Sequence, residues 1–244
     1  MYNYIIDIQY DGTNYAGWQI QRNAPTVQQK IVDAIEVITK EKINLIGSGR
    51  TDSGVHALGQ VANFRTEIEI DIYKFQYSLN SILPEDISVV KMKQADEKFH
   101  SRFDARSRSY LYLFNHNKSP FYYKYAYYYP PVTKINFKEL NRISQSLLGV
   151  HDFSSLSKKN DEIDDKTCDI SEIWWRKGKD ISTFYITANR FLHGMVRTIV
   201  GTLLHAAENN FDEKYLMEVL DQKNREAAAE SIPAKGLFLF KVRY

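Results

Sequence analysis

The chain has 244 residues, 43% of them apolar and 25% charged, which fits an ordinary globular protein with one large domain or two small ones. The formal net charge is only +2, so bulk charge does not by itself argue for a nucleic-acid partner. No run of 18 apolar residues and no basic-then-apolar leader is present, and the single Cys168 excludes an internal disulfide or a multi-thiolate metal site. A reducing compartment follows, with the cytoplasm as the expected location and no membrane.

Tyr2, Tyr4, Ile6, Ile8 and Tyr10 fall on one face of an alternating pattern and predict a strand over 2–10, broken by Asp11-Gly12-Thr13. Thr26 predicts a helix N-cap with Gln29 at the capping-box position, and Val27, Ile31, Ala34, Ile35 and Ile38 form its apolar stripe. A glycine-rich turn segment from Gly47 to Gly59 leads into a strand through Val61 and Phe64. Asp71 caps a second helix that stops before Pro84, and 87–92 reads as a strand.

The second half repeats the plan as architecture, with no convincing repeat in sequence. Residues 108–115 predict a strand, Asn136 caps a helix with Glu139 at the box position, and Gly149 stands where a C′ glycine belongs. Strands are predicted at 168–176 and 181–188, and an apolar helix at about 192–208. Asp212 caps a further helix, and 236–244 closes the chain as a strand. The tyrosine-rich segment 121–131 reads as a packed connection or edge, because Pro130-Pro131 ends it and almost no arginine accompanies the rings. The order of elements indicates an α+β protein.

Between Lys98 and Lys118 five basic residues face one acid, Asp104, and are interleaved with Phe99, Phe103, Tyr110 and Tyr112. Cations beside aromatic faces suit RNA loops, but a half-exposed strand with arginines on its wet face gives the same pattern.

Chemistry concentrates in Gly47-Ser48-Gly49-Arg50-Thr51-Asp52-Ser53-Gly54-Val55-His56-Ala57, which holds three of the eleven glycines. It lacks the Gly-Lys-Ser/Thr ending of a phosphate loop and the Gly-x-Ser-x-Gly of a nucleophile elbow. What remains is a rigid turn presenting Asp52, with Arg50 two residues before it. The bland alternative is a turn in which Asp52 bonds only backbone amides.

Residues 49–57 resemble the signature G-R-T-D-A-G-V-H-A of the tRNA pseudouridine synthase A family. Further motifs resemble the family in chain order: Tyr10-Asp11-Gly12-Thr13 with Gly17-Trp18-Gln19, Thr26-Val27-Gln28, and Phe99-His100-Ser101-Arg102-Phe103 with Tyr110. The second half adds Gly149-Val150-His151-Asp152-Phe153, Phe191-Leu192-His193-Gly194-Met195-Val196-Arg197, and Pro233-Ala234-Lys235-Gly236-Leu237. The departures are Ser53, where alanine is common, and Gly194, where a second histidine often sits; neither removes a reactive group.

The resemblance implies an isomerase that converts uridine to pseudouridine at positions 38, 39 and 40 of the tRNA anticodon arm. It implies Asp52 as the catalytic nucleophile, Tyr110 stacking on the target uracil, Arg197 as its basic partner, and Arg50 positioning the RNA backbone. It further implies two similar RNA-recognition-like α/β sandwich domains, 1–104 and 105–244, with mostly antiparallel sheets joined across a central active-site cleft. The tRNA would be bound by a homodimer, and no cofactor or metal is expected. The competing reading is a non-catalytic RNA-binding module of the same fold. A metal phosphohydrolase built on His151-Asp152 is disfavoured, because the other five histidines show no ligand spacing.

Overall fold

The computed structural model describes residues 1–160 and 163–244. In chain order its first elements are β1 (Tyr2–Tyr10), α1 (Val27–Thr39), β2 (Ile46–Gly47), β3 (His56–Thr66), α2 (Ile72–Ile82) and β4 (Ile87–Ala95). There follow β5 (Ser107–Asn115), β6 (Tyr127–Tyr128), α3 (Phe137–Ser144), β7 (Gly149–Asp152), β8 (Thr167–Arg176) and β9 (Ile181–Ala188). The last are α4 (Met195–Glu208), α5 (Glu213–Asp221) and β10 (Leu237–Arg243). The chain groups into two compact units, Met1–Arg106 with Phe238–Tyr244, and Ser107–Leu237.

In the first unit β1 pairs antiparallel with both β3 and β4, and β2 pairs with β3. Tyr4, Ile6, Ile8 and Tyr10 are buried as their alternation predicts. Asn3, on the face expected to be wet, is buried too. Its amide donates to the carbonyls of Asp96 and Phe99, and its oxygen accepts from Asn63 at 3.0 Å, so a loop roofs that end of the strand with every polar atom answered. Thr26 caps α1 by accepting the Gln29 amide, while the Gln29 side chain turns to Asp33 instead of closing a capping box. Ile31 and Ile35 are fully buried on α1, each worth about 1.5–3 kcal/mol against exposure. Asp71 caps α2 through the Lys74 amide, and the helix buries Phe75 and Leu79.

The expected division left 238–244 with the second half. Phe238 and Leu239 instead pair in parallel with His56 and Ala57 of β3. Strand periodicity carries no information about a partner so distant in sequence.

In the second unit β9 lies between β5 and β8, and β7 pairs with β8, all antiparallel. Tyr112, Phe114, Trp175 and Phe184 form an aromatic core, with Phe114 and Trp175 stacked at 5.7 Å. Three boundaries differ from expectation. Helix α4 starts at Met195, because Gly194 adopts a left-handed conformation at its N-cap and leaves Leu192 outside. Gly149, with φ +87°, opens β7 after a short 3-10 turn at Gln145–Leu147, so it does not cap the helix directly. In the tyrosine segment β6 pairs with β5 and Ala126 is buried, but Phe121, Tyr122, Tyr123, Tyr125 and Tyr128 are exposed. Among the described residues no helix is long and apolar enough to cross a membrane.

Candidate active site

Asp52 stands half-buried in the first unit, on the loop that runs from β2 into β3. Its neighbours are tied down on both sides. The Thr51 carbonyl accepts the Trp18 amide at 3.1 Å, and the Thr51 and Tyr10 hydroxyls meet at 2.8 Å. Beyond Asp52, the Ser53 hydroxyl and the Gly54 amide both donate to the Tyr15 carbonyl, and the Val55 amide closes a turn onto the Asp52 carbonyl. Upstream, Ser48 donates to Gln60, whose amide donates in turn to the Gly49 carbonyl. The loop therefore presents its carboxylate with little backbone freedom, which is what preorganised chemistry requires.

Gly17 makes this closeness possible. Its φ is +100°, and a Cβ there would lie 2.5 Å from the Thr51 carbonyl oxygen. Tyr10 and Gly17 stand in sequence motifs whose physical role the sequence did not reveal. Arg50 is exposed on the same loop.

Three histidines inside the motifs bond backbone groups. His56 is buried, accepts the Gly12 amide at Nδ1 and stacks on Phe238. His100 accepts the amides of Arg102 and Phe103, and His151 bonds the Leu148 carbonyl. Among the described residues no three His, Cys, Asp or Glu side chains cluster as metal ligands would. Cys168 is buried, and burial pushes its thiol up to about 11, so it is no nucleophile at neutral pH.

Tyr110 and Arg197 both belong to the second unit. Tyr110 sits on β5 opposite Ile186 and packs edge-on against Phe191 at 5.1 Å; it is only 8% exposed, so its ring is a wall and not a protruding platform. Arg197 lies in the first turn of α4, and its Nε donates to the Ile232 carbonyl at 2.6 Å. It does not simply extend into water along its stem. Of the aromatics interleaved with the basic stretch 98–118, Tyr110 and Tyr112 are buried and Phe103 is exposed beneath Arg102.

Comparison with known proteins identifies the family. The sequence profile described as tRNA pseudouridine synthase matches residues 7–104 and 143–244. The chain belongs to this family. Similar proteins run the whole length: tRNA pseudouridine synthase A of Thermoanaerobacter sp. strain X514 is 40% identical over 248 residues, covering 100% of both chains. The protein of that name from Bacillus subtilis strain 168 is 38% identical over 97% of each chain. That of Brachyspira hyodysenteriae strain WA1 is 40% identical, over 98% of this chain and 96% of the relative. Asp52, Arg50 and Arg197 fall within the stretches matched to the family profile, and Tyr110 falls between them.

Proposed function

We propose that the chain isomerises uridine to pseudouridine in tRNA, at positions 38, 39 and 40 of the anticodon arm, with Asp52 as the catalytic carboxylate. The observation that carries this reading is the presentation of Asp52, a half-buried acid on a loop whose flanking residues are each tied to the scaffold. Full-length identity of about 40% with tRNA pseudouridine synthase A proteins supports the same substrate class.

The chemistry suits a single acid. The N1–C1′ bond breaks, the uracil turns, and C5 joins C1′; N1 gains a proton and C5 loses one, so the sum is an isomerisation that needs no redox partner or group donor. Glycoside hydrolysis uses a pair of carboxylates and consumes a water, whereas here the base is retained and water is kept out. Asp52 either attacks C1′ or first removes a ribose proton, and both routes need its ionised form. A uridine in a stem must be flipped out of its stack to react, and in this reading Tyr110 receives the ring, Arg197 supplies the cation at the reacting centre and Arg50 holds the backbone. A homodimer that contacts one tRNA through both subunits, in the cytoplasm, completes the proposal.

Release of tritium from C5-labelled uridine in tRNA transcripts tests the reading. An RNA-binding module of the same fold retards the transcript in a gel and releases nothing. Light scattering of the complex with one tRNA tests the dimer.

A further inference from the structure

We propose that Ser231–Pro233 is a positioning strap, which sets the aim of the Arg197 guanidinium and locks it to the strand that carries Tyr110. The inference rests on the role given to Arg197 above.

Arginine is a long side chain with a rigid planar head, so its use at a reacting centre depends on what fixes the plane of that head. Here the stem-side donor, Nε, is bound to the Ile232 carbonyl at 2.6 Å, and the Ile232 amide returns a bond to the Arg197 carbonyl at 3.3 Å. Backbone and side chain of one residue are thus held by one residue of the strap. A bond from a charged donor to a buried carbonyl is stronger than a neutral one, and an arginine destined only for solvent has no use for it.

The strap is itself fixed to α4 at two more points. The Thr198 and Ser231 hydroxyls meet at 2.6 Å, and Thr198 also bonds the Gly194 carbonyl at 3.1 Å. One turn further on, Gly201 passes beneath the Glu230 carbonyl so closely that a Cβ would stand 2.0 Å from its oxygen. Only glycine permits that approach, although it is a poor helix former in a buried helix interior.

The next carbonyl faces the sheet. Pro233 accepts the Tyr112 hydroxyl at 2.7 Å, and Tyr112 lies two residues from Tyr110 on the same face of β5. Successive carbonyls, Ile232 and Pro233, therefore hold the helix bearing Arg197 and the strand bearing Tyr110 in one register. The strap acts through these two residues and does not itself touch the reacting atoms in this account.

The test is a double-mutant cycle read by single-turnover rate, tRNA Kd and thermal unfolding. Gly201→Ala adds a methyl that favours the helix and drives the strap away. Its rate should fall by about tenfold or more, as misplacement of a reacting group does, with tRNA Kd changed less than about threefold. Ser231→Ala should lose rate by a few-fold and Ser231→Thr, which keeps the hydroxyl, should restore it. On an Arg197→Lys background, which lacks the guanidinium, both losses should shrink to less than about twofold, because the strap has nothing left to aim.

Wild-type rate in folded Gly201→Ala overturns the strap, as does a loss that multiplies undiminished with that of Arg197→Lys. Should Gly201→Ala fail to fold, the Ser231 variants on both backgrounds decide by the same criterion. A dead Arg197→Met beside unaffected strap variants overturns the strap alone. Full activity in Arg197→Met overturns the role of Arg197, and the strap with it.

Discussion

The Thr51 carbonyl oxygen lies 2.5 Å from the place a Cβ on Gly17 would occupy, so the loop before Asp52 rests directly on the backbone of a distant turn. Gly17→Ala adds both that clash and the strain of a non-glycine residue at φ +100°. It should cost about 1–3 kcal/mol of stability and lower the single-turnover rate of the folded fraction. Tyr10→Phe, which removes the hydroxyl that meets that of Thr51, should cost about 1 kcal/mol. Urea unfolding beside rate measurement checks both, and a Gly17→Ala protein with unchanged stability and rate contradicts the pinned-loop account.

Tyr110 separates stacking from its hydroxyl. Tyr110→Phe should bind tRNA within about twofold of wild type, whereas Tyr110→Ala should lose about 1–3 kcal/mol of binding, the worth of one stacked base. The ring is also buried against Phe191, so Ala should destabilise the fold by about 3–5 kcal/mol, and affinity must be referred to folded protein. Equal affinity and rate for wild type and Ala would place Tyr110 outside the reaction.

Asp152 provides a pH-dependent check of the second unit. Burial pushes its carboxyl up, but the Ser154 hydroxyl and amide together with Lys223 at 3.2 Å outweigh this and hold it below the usual carboxylate range. A pKa depressed on folding contributes stability above the unfolded value of about 3.9 and loses it as pH falls through the folded value. Asp152→Asn should therefore destabilise at pH 7 by about 0.5–1 kcal/mol, discounted for a side chain partly in water. The gap should close as pH falls below the unfolded value and on through the lower folded one, as the native carboxyl protonates. Unfolding curves that keep the same gap at low pH contradict this assignment.

Local signals read well from sequence. Thr26, Asp71, Asn136 and Asp212 each accept an amide of the helix they precede, because a cap is a matter of three or four adjacent residues. The Asp52 loop was likewise legible as a short contiguous motif. Long-range partnerships were not. Tyr10 meets Thr51 across 41 positions and Arg197 meets Ile232 across 35; neither leaves a periodic trace, since one polar contact imposes no pattern on the residues between. The pairing of β10 with β3 and the roofing of Asn3 escaped for the same reason. Strand β7 escaped because its four residues, Gly149–Asp152, are too few to display alternation.

The most direct test of the central claim is tritium release by Asp52→Asn on C5-labelled tRNA, measured beside its tRNA Kd. The two side chains are nearly the same size, and phosphate contacts dominate affinity. Asp52→Asn should bind tRNA with a Kd within about threefold of wild type and react about 10³-fold or more slowly, as expected when the reacting group itself is lost. Turnover within about tenfold of wild type would remove Asp52 from the mechanism.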